Sequence, residues 1–484
     1  MPRDLPSDEI RQALHRAADR IADYLDSAEA YPVVPRLQPG DVACQLPAAP
    51  PALPETMDAI LDDYERLIEP NMTHWNHPGF LAYFGITGSG PGIVAEALAA
   101  ALNNNAMLWR SGPAATELEE RVCDWLRQMM DLPDVFRGHI NDTASTSSLV
   151  ALAAARHRLP GLDVRARGLA GRPDAPPLVV YASDQAHSSI DKAAIVLGLG
   201  HENVRRIESD GEFRMSFPAL AEAVAADRAD GKLPMAVVAT VGSTSTTSID
   251  PVEEIAGLCA REGIWLHVDA AYAGSAAICP ELRALMRGIE RADSLVTNPH
   301  KWLFTPVDCS VLYVRDPAQL RDAFSLIPEY LRTDESGVTN LMDLGFQLGR
   351  RFRSLKLWMV IRAYGVEGLR ERIREHCRLA GDLAARITAE PGFELSAPAP
   401  FSTVCFRALP AGNAESAAID RFNEQLLARI NAVGPFFLSH TALRGRTTLR
   451  VAIGNIKTTG SHIDMLWELI REKALSLRAE GAAA

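Results

Sequence analysis

Two residues that could do chemistry together stand at the ends of two apolar runs. Asp269 closes Ile264-Trp-Leu-His-Val, and Lys301 sits between His300 and Trp302 in Asp293-Ser-Leu-Val-Thr-Asn-Pro-His-Lys-Trp. Short runs rich in β-branched and aromatic residues read as buried strands. Two such strands joined by a linking helix make a βαβ unit. Ligands of open α/β sheets bind beyond the carboxyl ends of such strands. An arbitrary Asp or Lys is usually a solvated surface charge. An acid directly after Trp-Leu-His-Val, and a lysine flanked by His and Trp, are poorly placed for that. An amine that condenses with an aldehyde and a carboxylate that pairs with a ring nitrogen are what pyridoxal 5'-phosphate (PLP) asks of a protein.

Other strands bring polar groups to the same edge. Leu178–Ser183 reads as a strand, and His187 follows it where a helix begins. The strand at 235–242 precedes Thr244. Thr143, Ala144 and Ser145 lead into the strongly helical segment 151–157. A helix N-terminus offers unpaired N–H groups to a phosphate, although simple capping by Thr or Ser is the plainer role. No G-x-x-x-x-G-K-[ST] occurs, which excludes a P-loop. The segment 73–87 is dense in aromatic residues, with Trp75, Phe80, Tyr83 and Phe84. These suit either ordinary core packing or an apolar slot for a flat side chain. Gly88-Ser-Gly-Pro-Gly reads as a turn into a helix with Pro91 near its first position. Arg350, Arg351 and Arg353 suit ion pairing within the fold or anion binding.

The elements that must hold these groups fit a chain of 484 residues, long enough for a large α/β domain with appendages. The net charge of −12 argues against nucleic acid as the main partner. Seven scattered cysteines without C-x-x-C spacing fit a reducing cytoplasm and imply no metal site. The N-terminal residues are polar, without the pattern of a signal peptide, and no apolar run is long enough to span a bilayer. Helical periodicity at 8–28 and 56–68, with a Pro-rich link between, describes an N-terminal arm over 1–88 that packs on another subunit. Residues 89–365 make the large α/β domain, with further strands and helices to Tyr364. Residues 366–484 form a small α+β domain, with strands at 403–407 and 447–452. Residues 325–337 read as an exposed loop.

Taken together, the motifs resemble those of the group II PLP-dependent decarboxylases, and among them the aromatic-L-amino-acid decarboxylases. They are His74-Trp75, Ala82-Tyr-Phe, Thr116-Glu-Leu-Glu, Asp184-Gln-Ala-His-Ser-Ser, His267-Val-Asp-Ala-Ala-Tyr-Ala-Gly-Ser-Ala, Asn298-Pro-His-Lys-Trp and Gly349-Arg-Arg-Phe-Arg-Ser-Leu-Lys. The resemblance runs from about Ile10 to Ala474. It implies the type I PLP fold, a mostly parallel sheet flanked by helices, and a homodimer with active sites at its interface. It makes Lys301 the Schiff-base lysine, Asp269 the pyridine partner and His187 the residue stacked on the ring, with Ala271 on the opposite face. Ala144, Ser145, Asn298 and His300 would hold the phosphate or its surroundings, and Thr143, Thr244 and Gly349 would lie near the cofactor.

Trp75, Tyr83 and Phe84 would hold the substrate side chain, and His187 would help seat its carboxylate. Ile86 falls where the family often has a small hydroxyl residue near the substrate. Tyr330, in Pro328-Glu-Tyr-Leu, matches a tyrosine that reaches across the dimer to protonate Cα. Aldehyde-forming relatives commonly carry Phe at that place, or Asn for the stacking His. The reaction implied is loss of carbon dioxide from an aromatic L-amino acid to give its amine. The alternatives are an oxidative aldehyde synthase, a decarboxylase of a non-aromatic amino acid, and a PLP-binding regulator. The last is disfavoured by the absence of a basic recognition helix.

Overall fold

The computed structural model describes residues 4–326, 337–412 and 415–483. Its centre is a seven-stranded sheet of β1 (Arg137–Asn141), β2 (Leu178–Ser183), β3 (Val204–Ile207), β4 (Leu233–Thr240), β5 (Trp265–Asp269), β6 (Ser294–Thr297) and β7 (Ser310–Val314). The spatial order is β1-β7-β6-β5-β4-β2-β3. Neighbours pair in parallel from β3 to β6, and β7 runs antiparallel to both β6 and β1. This is the α/β architecture of the type I PLP fold.

Both faces of the sheet are covered, so its strands are apolar throughout rather than alternating. In β4, Val237 and Ala239 join one buried cluster while Ala236 and Val238 join another. In β5, Leu266 and Val268 face the first cluster and Trp265 the second. No single helix links β5 to β6. The connection is a series of short turns at Ala273–Ile278, Pro280–Arg283, Ala284–Met286 and Ile289–Arg291. Pro280 and Gly288, the latter at φ +101°, interrupt it.

The helix Ser354–Ala389 crosses from this sheet to a second one and is broken at Gly365 (φ 63°, ψ 170°), a conformation that favours glycine. The second sheet has the order β10-β11-β9-β8, with β8 (Phe393–Leu395), β9 (Thr403–Ala408), β10 (Ser439–Leu443) and β11 (Arg446–Ala452), all antiparallel. At the N-terminus, the helix Ser7–Ser27 buries none of its residues. It is tied to the segment 58–69 through Arg16 with Asp62 and Glu65, and Arg20 with Glu69. The expected helix at 56–68 is α-helical only over Met57–Asp63 and continues as a π-helical turn over Tyr64–Ile68.

The three arginines 350, 351 and 353 form ion pairs with Glu119, Glu96 and Asp308 respectively. The first is buried. Arg350 Nη2 donates to Glu119 at 2.7 Å and to the Ile140 carbonyl at 2.6 Å, while Glu119 accepts the Ile140 amide at 2.8 Å. This anchors β1 just before the helix Ala144–His157. Removing one partner leaves a buried charge uncompensated, at a cost of about 3–5 kcal/mol. Arg350→Met is therefore expected to lower the unfolding free energy in urea by about that amount, with part of it recovered in Arg350→Met/Glu119→Leu. An unchanged urea midpoint in the single variant would contradict the role given to this pair.

Candidate active site

Strand register explains why one edge of the large sheet collects polar groups. Thr240, Asp269 and Val296 lie side by side at the carboxyl ends of β4, β5 and β6. Beyond these ends is a cavity of about 200 Å³. Its lining includes Thr143, Ala144, Ser145, His187, Thr244, Asp269, Ala271, Asn298, His300, Lys301 and Phe84. Asp269 ends β5, the others sit in loops or at helix starts that follow a strand, and Phe84 arrives from the N-terminal segment. Ser189, Thr240, Gly242 and Tyr272 line it as well.

Lys301 is carried by the short helix Pro299–Trp302 directly after β6, and its backbone amide donates to the Asn298 carbonyl at 2.9 Å. Its Nζ lies 5.1 Å from the centre of the Phe84 ring. Burial pushes the Lys301 amine below the ordinary lysine range, with the nearby Asp269 charge opposing that shift. A larger share of the amine is thus the unprotonated nucleophile. Asp269 is buried at the end of β5, where its Oδ1 accepts the Ala271 amide at 3.1 Å.

The His187 ring is oriented by Ser189, whose amide donates to Nδ1 at 3.1 Å and whose hydroxyl lies 2.9 Å from it. An Nδ1 that accepts leaves the proton of the neutral ring on Nε2. Burial pushes the His187 pKa down, against the opposing pull of Asp269. His300 is set in the same way. The Cys309 amide donates to its Nδ1 at 2.9 Å, and burial pushes its pKa down to about 3, so the ring is neutral.

The N-terminus of the helix Ala144–His157 opens on this cavity. Thr143 occupies the cap position without a side-chain hydrogen bond to the helix. Its hydroxyl turns to Asp142 instead, at 3.2 Å. The Cβ of any residue replacing Gly242, which has φ +84°, would lie 2.6 Å from the Ala273 Cβ, so this turn admits no side chain.

Behind the cavity stands a column of aromatic rings. Phe84 stacks on Tyr272 at 3.9 Å and 16°, and Tyr272 stacks on Trp302 at 4.5 Å and 5°. Trp302 Nε1 donates to His376 Nδ1 at 2.9 Å. Because Trp302 adjoins Lys301, the same column backs both the apolar wall and the amine.

Within one chain the remaining substrate-slot residues lie elsewhere. Trp75 and Ile86 line a neighbouring hollow of about 490 Å³ shared with Tyr24, His74 and Val307. Tyr83 is exposed and stacks on Trp75 at 5.9 Å. Gly349 lies outside the cavity, next to Arg350 and near Asn105. Tyr330 falls outside the described residues.

The chain matches the model of the pyridoxal-dependent decarboxylase conserved domain over residues 39–409. It belongs to the pyridoxal-dependent decarboxylases. Aromatic-L-amino-acid decarboxylase of Sus scrofa is 42% identical over 489 residues, covering 98% of each chain. Phenylacetaldehyde synthase of Arabidopsis thaliana is 41% identical over 481 residues, covering 97% of this chain and 96% of its own. The crystal structure of Oryza sativa TDC with PLP and tryptamine superposes with a TM-score of 0.94 at 39% identity, over 99% of this chain and all of the other.

The cavity of this decarboxylase suits PLP on its own chemistry. Asn298 Oδ1 and Thr240 Oγ1 are buried on its lining without a hydrogen-bond partner among the described residues. Such atoms are costly unless a bound group satisfies them. An uncapped helix N-terminus at one side and a buried carboxylate at another match a phosphate and a ring nitrogen.

Proposed function

We propose that this decarboxylase converts an aromatic L-amino acid into the corresponding amine and carbon dioxide, working as a homodimer. The observation that carries the reading is a single cavity holding Lys301 and Asp269, with Phe84 backed by stacked Tyr272 as its apolar wall.

When bound, PLP supplies an aldehyde for the amine and a protonated ring that accepts the electron pair left on Cα when carbon dioxide departs. The rest falls to the chain. Lys301 would hold the aldehyde through its buried amine. Asp269 would place a negative charge beside the ring nitrogen and so keep it protonated. His187 and Ala271, which line the same cavity, would hold the ring, and His187 would present Nε2–H to the substrate carboxylate. The helix amides at Ala144 and Ser145, together with Thr143, Asn298 and His300, would hold the phosphate, with Thr244 on the same cavity wall. Phe84 receives the flat side chain, and Trp75, Tyr83 and Ile86, which within one chain lie outside this cavity, would meet it only from the adjoining hollow.

The homodimer reading is supported by apolar surface that one chain leaves uncovered. Val94, Leu98 and Leu102 are 56%, 48% and 64% exposed along one face of the helix Gly90–Leu102. Leu14 and Ile21 are likewise exposed on the N-terminal helix, at 59% and 41%. Contiguous patches of this kind mark interaction sites. In such a dimer Gly349 and Tyr330 would serve the partner's cavity rather than their own. No helix among the described residues is long and apolar enough to cross a membrane. The seven free thiols support a reducing, cytoplasmic setting.

A panel of DOPA, tyrosine, tryptophan, phenylalanine and glutamate tests the reading by carbon dioxide and amine release. Aromatic amine in equal amount to carbon dioxide is expected from at least one aromatic member, and none from glutamate. Turnover of glutamate alone would overturn the aromatic assignment.

One second reading has a specific observation behind it, the similarity to phenylacetaldehyde synthase. Oxidative chemistry consumes one dioxygen and one water and releases carbon dioxide, ammonia, peroxide and the aldehyde. Tyr330 and His187, both kept in this sequence, favour amine formation instead. A Tyr330 hydroxyl that donates the proton to Cα ends the reaction before oxygen enters. Tyr330→Phe is therefore expected to divert product toward aldehyde and peroxide and to cut amine by about tenfold or more. Unchanged amine output would remove Tyr330 from the reaction.

A further inference from the structure

Strand β11 alternates as its pleat requires. Leu449 and Val451 point into the core of the small sheet, so Arg450 between them emerges on the opposite face, toward the large sheet. It is 4% exposed. Among the described residues no carboxylate pairs with it, and its Nη2 is buried without a hydrogen-bond partner. A buried guanidinium without an acid is costly, and burial pushes its pKa down.

What the side chain does reach is specific. Arg450 Nε donates to the Ser245 carbonyl at 2.9 Å, and Nη1 donates to the Tyr83 carbonyl. Ser245 directly follows Thr244, and Tyr83 directly precedes Phe84, and both Thr244 and Phe84 line the cavity. The guanidinium carbon lies 4.6 Å from the centre of the Phe84 ring, the ring that Lys301 Nζ also approaches. The same two loops are stitched to the small sheet elsewhere. Ser245 Oγ lies 2.8 Å from Thr441 Oγ1, Cys405 Sγ donates to the Ser245 carbonyl, and the Tyr83 amide donates to Ser439 Oγ.

We propose that Arg450 is a positioning and specificity-determining residue. From the small sheet it holds the Phe84 ring and the Thr244 loop as two walls at a fixed separation, so that the cavity admits a flat side chain in one orientation. The fork of the guanidinium is essential to this, because one group must meet two carbonyls and one ring face at once, which an ammonium cannot do. Arg450 touches no reacting atom and acts only through Phe84 and Thr244. This inference rests on the aromatic-decarboxylase reading and adds to it the device that sets the slot.

The test is a double-mutant cycle on the PLP-loaded enzyme, with Arg450→Lys, Phe84→Leu and the pair. Arg450→Met serves as a second probe of the same position. Arg450→Lys is expected to retain PLP, to raise KM for the preferred aromatic amino acid by about tenfold, and to change kcat by less than about threefold. In the Phe84→Leu background the same change is expected to shift KM by less than about twofold, since the wall it holds is gone. Equal effects in both backgrounds would overturn the proposal, because a general loss of stability does not depend on Phe84. Wild-type KM in Arg450→Lys would also overturn it. Arg450→Met is expected to show the same background dependence with a larger KM effect; if it does not fold, Arg450→Lys still decides. Binding of phenethylamine, followed through the PLP absorbance, gives the same coupling without turnover. An enzyme that releases no aromatic amine thus removes the functional reading while the cycle still reports on Arg450.

Discussion

Lys301→Ala yields a protein that folds and weakly binds PLP but no longer turns over. The expected fall in kcat is at least about 10³-fold, roughly 4 kcal/mol of barrier. The expectation follows from where the amine is. Lys301 is held by a four-residue helix after β6 and backed by Trp302, with Nζ lodged near Phe84 inside the cavity. Burial shifts it toward the unprotonated form relative to a free lysine in water. Alanine removes the amine and leaves the wall, since the aromatic column behind it belongs to Trp302, Tyr272 and Phe84. Borohydride reduction followed by peptide mapping gives a direct check. The wild type should carry the reduced cofactor at position 301, and the variant should carry none. Cofactor trapped at another lysine, or turnover within tenfold of wild type, would end the assignment.

The site was legible in sequence to the extent that strands deliver it. Asp269, Lys301, His187 and Thr244 each follow a recognisable apolar run, and a parallel sheet necessarily brings such ends to one edge. Thr240 and Gly242, which share that edge, carried no distinguishing type. They line the cavity because register sets Thr240 beside Asp269 and because no side chain fits at Gly242. Other features depend on contacts between distant segments, which no local pattern encodes. Periodicity shows that Arg450 lies between two core residues. It does not show that the opposite face of β11 packs on loops 205 and 367 positions away, at Ser245 and Tyr83.

The arginine cluster illustrates the same limit. Its charge was visible, and its partners Glu119, Glu96 and Asp308 were not. The antiparallel direction of β7 likewise leaves no mark on Ser310–Val314, an apolar strand like its parallel neighbours. The substrate slot divides for the same reason. Phe84 lines the cavity, while Trp75 and Ile86 face an adjoining hollow, and which of the two a residue faces is set by contacts between distant segments.

Asp269→Asn separates the electrostatic role of that residue from any structural one. The carboxylate ends β5, and its Oδ1 accepts the Ala271 amide at 3.1 Å. An asparagine amide oxygen accepts the same bond, so the loop that carries Ala271 and the shape of the cavity are expected to persist. What is lost is the negative charge. A charge next to a titrating nitrogen moves its pKa by about 1–3 units. The protonated ring nitrogen is therefore less favoured in the variant by about 1.4–4 kcal/mol. Since the electron pair left by departing carbon dioxide is stabilised by that proton, kcat is expected to fall by about 10–10³-fold. Thermal stability of the cofactor-free protein should change little, because the hydrogen bond is kept. The charge acts on the reaction more than on substrate binding, so KM should move less than kcat. Rescue by Asp269→Glu would be partial, as a longer side chain restores the charge but not its place beside Ala271. A variant with wild-type kcat would show that this carboxylate does not hold the ring proton. One with both lost activity and a collapsed melting temperature would assign Asp269 to the fold instead.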